Sequence, residues 1–220
     1  MMTHNSATAS GSAAVMAAMV AMGAALQEWS AAAERQAAVW RAAVAACAPL
    51  LASLAGLAAQ MRAAQRLAWG GTPLGAFSEL RERLWRKQRG AAEALLEELC
   101  GRREELRAVK DAVGAGAAAV LRLYEERAVE LGLAEVLRRG PRCPSLADAL
   151  EGLQDVERYY RHLYLEIELF LLLITCDSLA DMEALPQAWE RILERYGEDT
   201  VQDAFLKISL FLDNQWQLHC

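Results

Sequence analysis

The stretch AAEALLEELCGRREELRAVKDAVGAGAAAVLRLYEERAVEL, residues 91–131, decides the fold. Along it Ala91, Leu95, Leu99, Leu106, Val109, Val113, Val120, Tyr124, Ala128 and Leu131 recur in steps built from threes and fours. That period lines one face of an α-helix, and kept this long it is the seam of a coiled coil or a helical hairpin. Phe77, Leu80 and Leu84 extend the row upstream, so the spacing predicts a helix that begins near Pro73 or Ala76. Gly90, Gly101, Gly114 and Gly116 fall inside it. Each interior Gly costs about 1 kcal/mol relative to Ala, which weakens or bends a helix without forbidding it. A stripe of this length has to be buried, and the chain before it is the natural antiparallel partner.

That preceding chain is Ala-rich and also reads as helix. Leu26, Trp29, Ala33 and Trp40 open an amphipathic pattern in a helix expected over about 13–46. Pro49 marks a kink or restart, because an interior Pro loses a hydrogen bond and clashes with the preceding turn. Leu50, Leu54, Leu57 and Met61 carry the pattern on to about Leu67, and Trp69-Gly70-Gly71-Thr72-Pro73 is a loop by composition. The Thr, Asn, Ser and Gly of residues 1–12 predict a disordered start.

The strongest break is Arg138-Arg139-Gly140-Pro141-Arg142-Cys143-Pro144. Beyond it Ser145-Leu146-Ala147-Asp148 and Ser178-Leu179-Ala180-Asp181 each start a helix, with Ser as the N-cap and Asp in the first turn. The first of these helices shows Leu146, Leu150, Leu153, Tyr160, Leu163, Ile167, Phe170 and Ile174 on one side. Pro186 suits the first turn of a short helix that ends near Tyr196-Gly197, and a last helix starts at Asp199 or Thr200. The expected fold is all-α: an elongated helical bundle with a long antiparallel hairpin and a C-terminal cluster of shorter helices. It reads as one domain in two lobes, residues 13–139 and 145–217, joined by a loop at 140–144.

Charge is unevenly placed within the net of -6. Residues 62–142 hold 16 Lys/Arg against 12 Asp/Glu, whereas residues 143–220 hold 5 against 15. A basic middle and an acidic end suit differently charged partners, or solvated helix faces. Five scattered Cys with no CxxC unit read as small buried hydrophobes of a reducing compartment, hence cytoplasm or nucleus. The apolar run Ala13–Leu26 has no Lys or Arg before it and so lacks the charged start of a signal peptide. Leu169–Ile174 is too short to span a bilayer, and no membrane segment is expected.

Catalytic vocabulary is missing. The one interior His, His162, lies between Arg161 and Leu163 on a charged helix face, and no phosphate-cradling GxxxxGK[ST] or HExxH pattern occurs. Glu166 and Glu168 stand two apart and point to different sides of a helix, so they cannot share a metal. Glu97, Glu98, Glu104 and Glu105 lack the Glu-x-x-His that a di-metal bundle needs. No catalytic residue, cofactor or metal is assigned.

Two groups stand out as partner-binding candidates. Arg81, Arg83, Arg86, Lys87 and Arg89 put five cations in nine residues around Trp85. They suit a phosphate backbone, an acidic protein surface or a nuclear import receptor, or else a solvated face paired with Glu79, Glu82 and Glu93. The second group is Arg158, Tyr159, Arg161 and Tyr164, with Tyr160 in the core row. Tyr and Arg are enriched among interface hot spots. Trp189 reads instead as a plug between the short helix and the first helix of the C-terminal lobe.

These residues carry a resemblance. Trp40-x-x-Ala43, Pro49-Leu50-Leu51-Ala52-Ser53-Leu54, Met61–Leu67 and Phe77–Leu84 with Arg86-Lys87-Gln88 are similar to the AIRIM family of vertebrate ribosome maturation factors. The likeness is strongest at Leu153–Arg161, Ala184–Ile192 and Val201-Gln202-Asp203, and it covers about residues 20–213. The chain departs from the family in its Ala- and Met-rich start and in a more apolar Leu169–Cys176, and the second departure points to a buried partner surface there. The resemblance implies a non-enzymatic adaptor of a hexameric type II AAA ATPase, paired with the cyclin-dependent-kinase-interacting protein CINP. It implies a role in large-subunit ribosome maturation through release of a maturation factor, in replisome protein turnover, and indirect association with pre-ribosomes and chromatin. A helical scaffold or an RNA- or chromatin-associated protein acting through residues 81–89 is the alternative.

Overall fold

The computed structural model describes residues 4–140, 143–197 and 199–217, with side chains from residue 11 to 213 within those ranges. Six α-helices follow one another: α1 (His4–Arg66), α2 (Leu80–Val136), α3 (Leu146–Leu172), α4 (Leu179–Glu183), α5 (Leu185–Arg195) and α6 (Asp199–Gln217). There is no strand among the described residues, only an isolated bridge between Gly140 and Cys143. The chain is all-α, as its composition dictates. Of the start expected to be disordered, residues 1–3 lie outside the described residues and α1 begins at His4. Residues 141–142 of the expected connecting loop also lie outside them.

Three boundaries differ from expectation. α1 runs through Pro49 without restarting. Cys47, Leu51 and Leu54 are fully buried on either side, and that burial outweighs the missing hydrogen bond. α2 starts at Leu80, later than expected, behind two 3-10 turns at Trp69–Gly71 and Pro73–Ala76. In the second turn a Cβ on Gly75 would lie 2.4 Å from the Trp69 carbonyl oxygen, a fold-back no helix can propagate through. Near its end α2 changes course at Gly132, whose φ of 68° and ψ of 150° break the helical path. Only a residue without a Cβ holds that conformation cheaply.

The helix starts match the sequence. Ser145 and Asp148 form a reciprocal cap, with Asp148 N–H donating to Ser145 Oγ at 3.1 Å and Ser145 N–H donating to Asp148 Oδ2 at 2.8 Å. Asp181 N–H donates to Ser178 Oγ at 3.4 Å. Pro186 occupies the first turn of α5.

Two compact units divide these helices. The first comprises residues 1–38, 109–162 and 197–220. Its core includes Met22, Leu26 and Trp29 of α1, Val113 and Ala117 of α2, Leu153 and Val156 of α3, and Ile208 of α6. Trp29 ties them: its Nε1 donates to the Val113 carbonyl at 3.2 Å, and its ring stacks on Phe205 with centroids 6.2 Å apart. Gly116 makes room for the indole, since a Cβ there would lie 2.7 Å from Trp29 Cδ1. At Gly152 a Cβ would lie 3.0 Å from the Ala204 carbonyl, so α3 and α6 pack backbone to backbone.

The second unit comprises residues 39–108 and 163–196. It buries Trp40, Cys47, Leu51, Leu54 and Met61 of α1, Leu99 and Leu106 of α2, Leu163 and Ile167 of α3, and Trp189 of α5. Trp189 sits 5.8 Å from Phe170, the plug its sequence position suggested. In the second unit α1 and α2 run antiparallel: Cys47 lies near Arg102 and Glu105, and Met61, further along α1, shares a cavity with Leu84 and Gln88, earlier in α2.

By length and composition alone, α1 is apolar enough to cross a membrane, with a mean hydropathy of 2.0 in its richest window, of which 33% is buried. This differs from the expectation of no such segment. The value reflects the many Ala of this window, which score as apolar while each offers little area to bury.

Candidate partner-binding surfaces

The basic cluster occupies the first turns of α2. Arg81, Arg83, Arg86, Lys87 and Arg89 are all exposed, with Trp85 half-buried among them. Three of the five cations are already paired along the helix: Arg83 with Glu79 at 2.6 Å, Arg86 with Glu82 at 3.3 Å and Arg89 with Glu93 at 3.2 Å. Such exposed i,i+4 pairs contribute only a few tenths of a kcal/mol, and they lower the charge on offer. Arg81 and Lys87 form no salt bridge among the described residues.

The tyrosine group splits. Arg158 and Arg161 are exposed and lean on Asp155 at 3.1 Å and Glu157 at 3.5 Å. Tyr159 is half-buried, its ring edge-on to buried Tyr160 at 5.3 Å. Tyr164 corrects the surface placement read from sequence, for it is 2% exposed. Its hydroxyl accepts from Arg107 Nε at 2.9 Å and donates to Glu168 Oε1 at 2.8 Å, while Arg107 also reaches Glu168 at 2.8 Å. A buried phenol needs such a partner, and this one anchors α3 to α2. Burial and the Glu168 bond push the Tyr164 hydroxyl upward, and Tyr164 and Arg107 together hold Glu168 below the ordinary carboxylate range. Arg81, Arg83, Arg86, Lys87 and Tyr164 belong to the second unit, and Arg158, Tyr159 and Arg161 to the first.

The apolar run 169–176, read from the sequence as a partner surface, is joined by Leu165. Leu165, Leu169 and Leu172 are each more than half exposed and fall on one face of α3 by their spacing of four and three, and Leu173, also more than half exposed, follows in the turn that ends the helix. The signal was there: Leu163, Ile167 and Phe170 already fill the core face, so α3 is apolar on two sides. A row of four exposed leucines is the kind of apolar patch that marks an interaction surface. Its opposite neighbours are tied inward, Glu166 by an ion pair to Arg195 of α5 and Glu168 by Arg107. The sequence also gave no sign that Gln88, at the edge of the cationic cluster, is buried.

The groups that carry chemistry are dispersed. His162 is exposed, and among the described residues no three His, Cys, Asp or Glu are grouped as they would need to be to hold a metal ion. Cys47, Cys100, Cys143 and Cys176 are free thiols. Burial pushes the Cys47 thiol up to about 11, away from thiolate reactivity.

Comparison with known proteins is consistent with a binding role. Residues 20–210 match the family model described as "Ribosome biogenesis protein C1orf109-like". The chain is similar to the human protein named AFG2-interacting ribosome maturation factor, with 41% identity over 181 residues, 82% of this chain and 89% of the relative. Its namesake from Xenopus tropicalis is 37% identical over 78% of this chain and 85% of its own length. The one from Danio rerio is 31% identical over 77% and 84%.

Proposed function

Because the chain belongs to the C1orf109-like family of ribosome biogenesis proteins, we propose that it is a non-catalytic adaptor that binds an AAA ATPase of the AFG2 type. The names of its relatives support the partner and the process, since each is called an AFG2-interacting ribosome maturation factor. In this reading the chain pairs with CINP, and the pair docks on the hexameric ATPase. ATP is bound and hydrolysed by the ATPase alone. The assembly acts in late maturation of the large ribosomal subunit, in the cytoplasm, by releasing a maturation factor from pre-ribosomes. In the nucleus it serves replisome protein turnover on chromatin.

The observation that carries a binding role is the leucine row of α3. A helix already anchored by its core face and by Tyr164 presents three further leucines outward, with Leu173 just past its end, an arrangement suited to a partner helix laid along it. The test is affinity purification of the full-length chain from cells. An AFG2-type ATPase is expected in the eluate with ATPase activity that the isolated chain lacks, and recovery of the chain without any AAA ATPase overturns the reading.

The second reading, retention on RNA or chromatin through residues 81–89, has exposed Arg81 and Lys87 in its favour. Charge reversal at Arg81, Arg83, Arg86 and Lys87 then abolishes retention on nucleic acid while leaving ATPase binding intact.

A further inference from the structure

The cationic turns of α2 border a cavity of about 430 Å³ that opens toward the end of α1. Its walls include Met61 and Ala64 of α1 and Arg81, Leu84, Trp85 and Gln88 of α2, all in the second unit. Gln88 is the feature out of place. It is 8% exposed, it lines the cavity, and its Oε1 is buried without a hydrogen-bond partner. Buried amides are ordinarily satisfied, and an orphaned one costs about 1–3 kcal/mol.

Three chemistries therefore converge on one hole. Gln88 needs a hydrogen-bonding group of the kind a peptide backbone offers. Met61, Leu84 and the half-buried face of Trp85 offer apolar cover to one large side chain. Arg81, unlike Arg83 and Arg86, has no salt bridge among the described residues and is available to a carboxylate. A second cavity, of about 510 Å³, shares Ser78 with the first and is walled by exposed Leu74 and Phe77. Residues 79–89 carry five cations against two carboxylates, which selects an acidic partner.

We propose that this cavity, with the adjoining Leu74–Phe77 groove, is a docking site for a short acidic peptide segment of another protein. One aromatic or large aliphatic side chain enters beside Trp85, the backbone satisfies Gln88, and a nearby Asp or Glu pairs with Arg81. A nucleic acid fits the site less well. A phosphate chain needs several free cations and in this cluster finds Arg81 and Lys87 without salt bridges among the described residues, whereas a peptide with one carboxylate needs only Arg81 and also fills the apolar walls. The site does not depend on the ATPase reading, and failure to recover an ATPase leaves it standing.

The test is selection of a phage-displayed random peptide library on the full-length chain, followed by fluorescence anisotropy with the enriched peptides. Expected is a motif with Asp or Glu close to Trp, Phe or Leu. Binding should weaken about tenfold or more with Arg81→Glu, the loss of a charge-assisted pair. Gln88→Leu should weaken it too, and melting curves check that each variant is folded. Arg81 is exposed, so its variant keeps the test sound even if Gln88→Leu destabilises the helix pair. The proposal is overturned if no such motif is enriched. It is equally overturned if the selected peptides bind both variants undiminished. A third contrary result is single-stranded oligouridine binding at Arg81 where the peptides do not.

Discussion

Arg107 and Tyr164 meet across 57 positions of sequence, the guanidinium Nε donating to the buried hydroxyl at 2.9 Å. Glu168 completes the triangle by accepting from both. The ring of Tyr164 fills the core while its oxygen holds an ion pair in place, so α3 is registered against α2 by one side chain with two jobs. Tyr164→Phe removes the hydroxyl and keeps the packing. The expected loss is about 1 kcal/mol, or roughly 2–4 °C in Tm for a chain of this size, read by thermal denaturation. An unchanged Tm would mean the hydroxyl is no better placed than in water.

Glycines along α2 separate into two kinds, and alanine scanning should tell them apart. At Gly90 and Gly101 a Cβ meets nothing within 4 Å. Gly90→Ala and Gly101→Ala should therefore stabilise the protein by about 0.5–1 kcal/mol through helix propensity alone. At Gly116 the Cβ would press on the Trp29 indole, which is held by its own bond to Val113. Gly116→Ala should cost about 1–3 kcal/mol as overpacking overrides propensity. Urea denaturation of the three variants side by side gives opposite signs; one common sign would refute the packing argument.

Much of this was legible in advance, and the pattern of what was not is physical. Periodicity gave the helices and capping gave their starts, because both are local: Ser145 with Asp148, Ser178 with Asp181 and Pro186 each act within a turn. Pro49 misled because a local rule was overridden by burial of Cys47, Leu51 and Leu54 around it. Tyr164 misled for a related reason. A Tyr beside cations reads as surface until Arg107, far away in sequence, is seen to claim its hydroxyl. The run 169–176 read as a partner surface, but which of its leucines face outward was not legible, because a long apolar run hides which residues are surplus to the core.

Acid should reveal the cap of α3. Asp148 is held well below its ordinary 3.8, first by the hydrogen bonds from Arg139 and then by Ser145. A depressed carboxylate adds stability that is fully present above the unfolded value and fades as pH falls below about 3.8 toward the folded one. Asp148→Asn should therefore lower stability at pH 7 and flatten the loss below pH 4, leaving the gap between variant and parent smaller in acid. Chemical denaturation at the two pH values measures this, and a gap that widens in acid contradicts it.

The leucine row should separate binding from folding. Leu169→Asp and Leu173→Asp alter residues 59% and 69% exposed, so stability should change by no more than about 0.5 kcal/mol. Partner recovery should fall about 30-fold or more if these leucines are central to the interface, the effect of losing about 2 kcal/mol at a hot spot. Ile167→Asp, two residues from Leu169 on the fully buried side, should instead unfold the helix and lose the partner only because the fold is lost. Wild-type recovery of the ATPase with both surface variants, alongside normal melting, moves the interface off α3.

Salt dependence is the sharpest test of the basic cluster as a nucleic-acid surface. Each phosphate neutralised by a cation releases counterions, so the slope of log K against log salt counts the cations used, at about 0.7 per contact on a single strand. Five free cations at Arg81, Arg83, Arg86, Lys87 and Arg89 would give a slope of about -3.5. Glu79, Glu82 and Glu93 already occupy three of them, at 2.6, 3.3 and 3.2 Å. With only Arg81 and Lys87 left without salt bridges, the expected slope is about -1.4 and binding is weak at physiological salt. Breaking the pairs with Glu79→Gln and Glu82→Gln frees Arg83 and Arg86, and should steepen the slope by about 1.4. Anisotropy titrations of oligouridine across a salt series give both numbers. A steep slope in the unaltered chain would mean that the glutamates release their arginines to RNA, and that the cluster is a nucleic-acid surface after all.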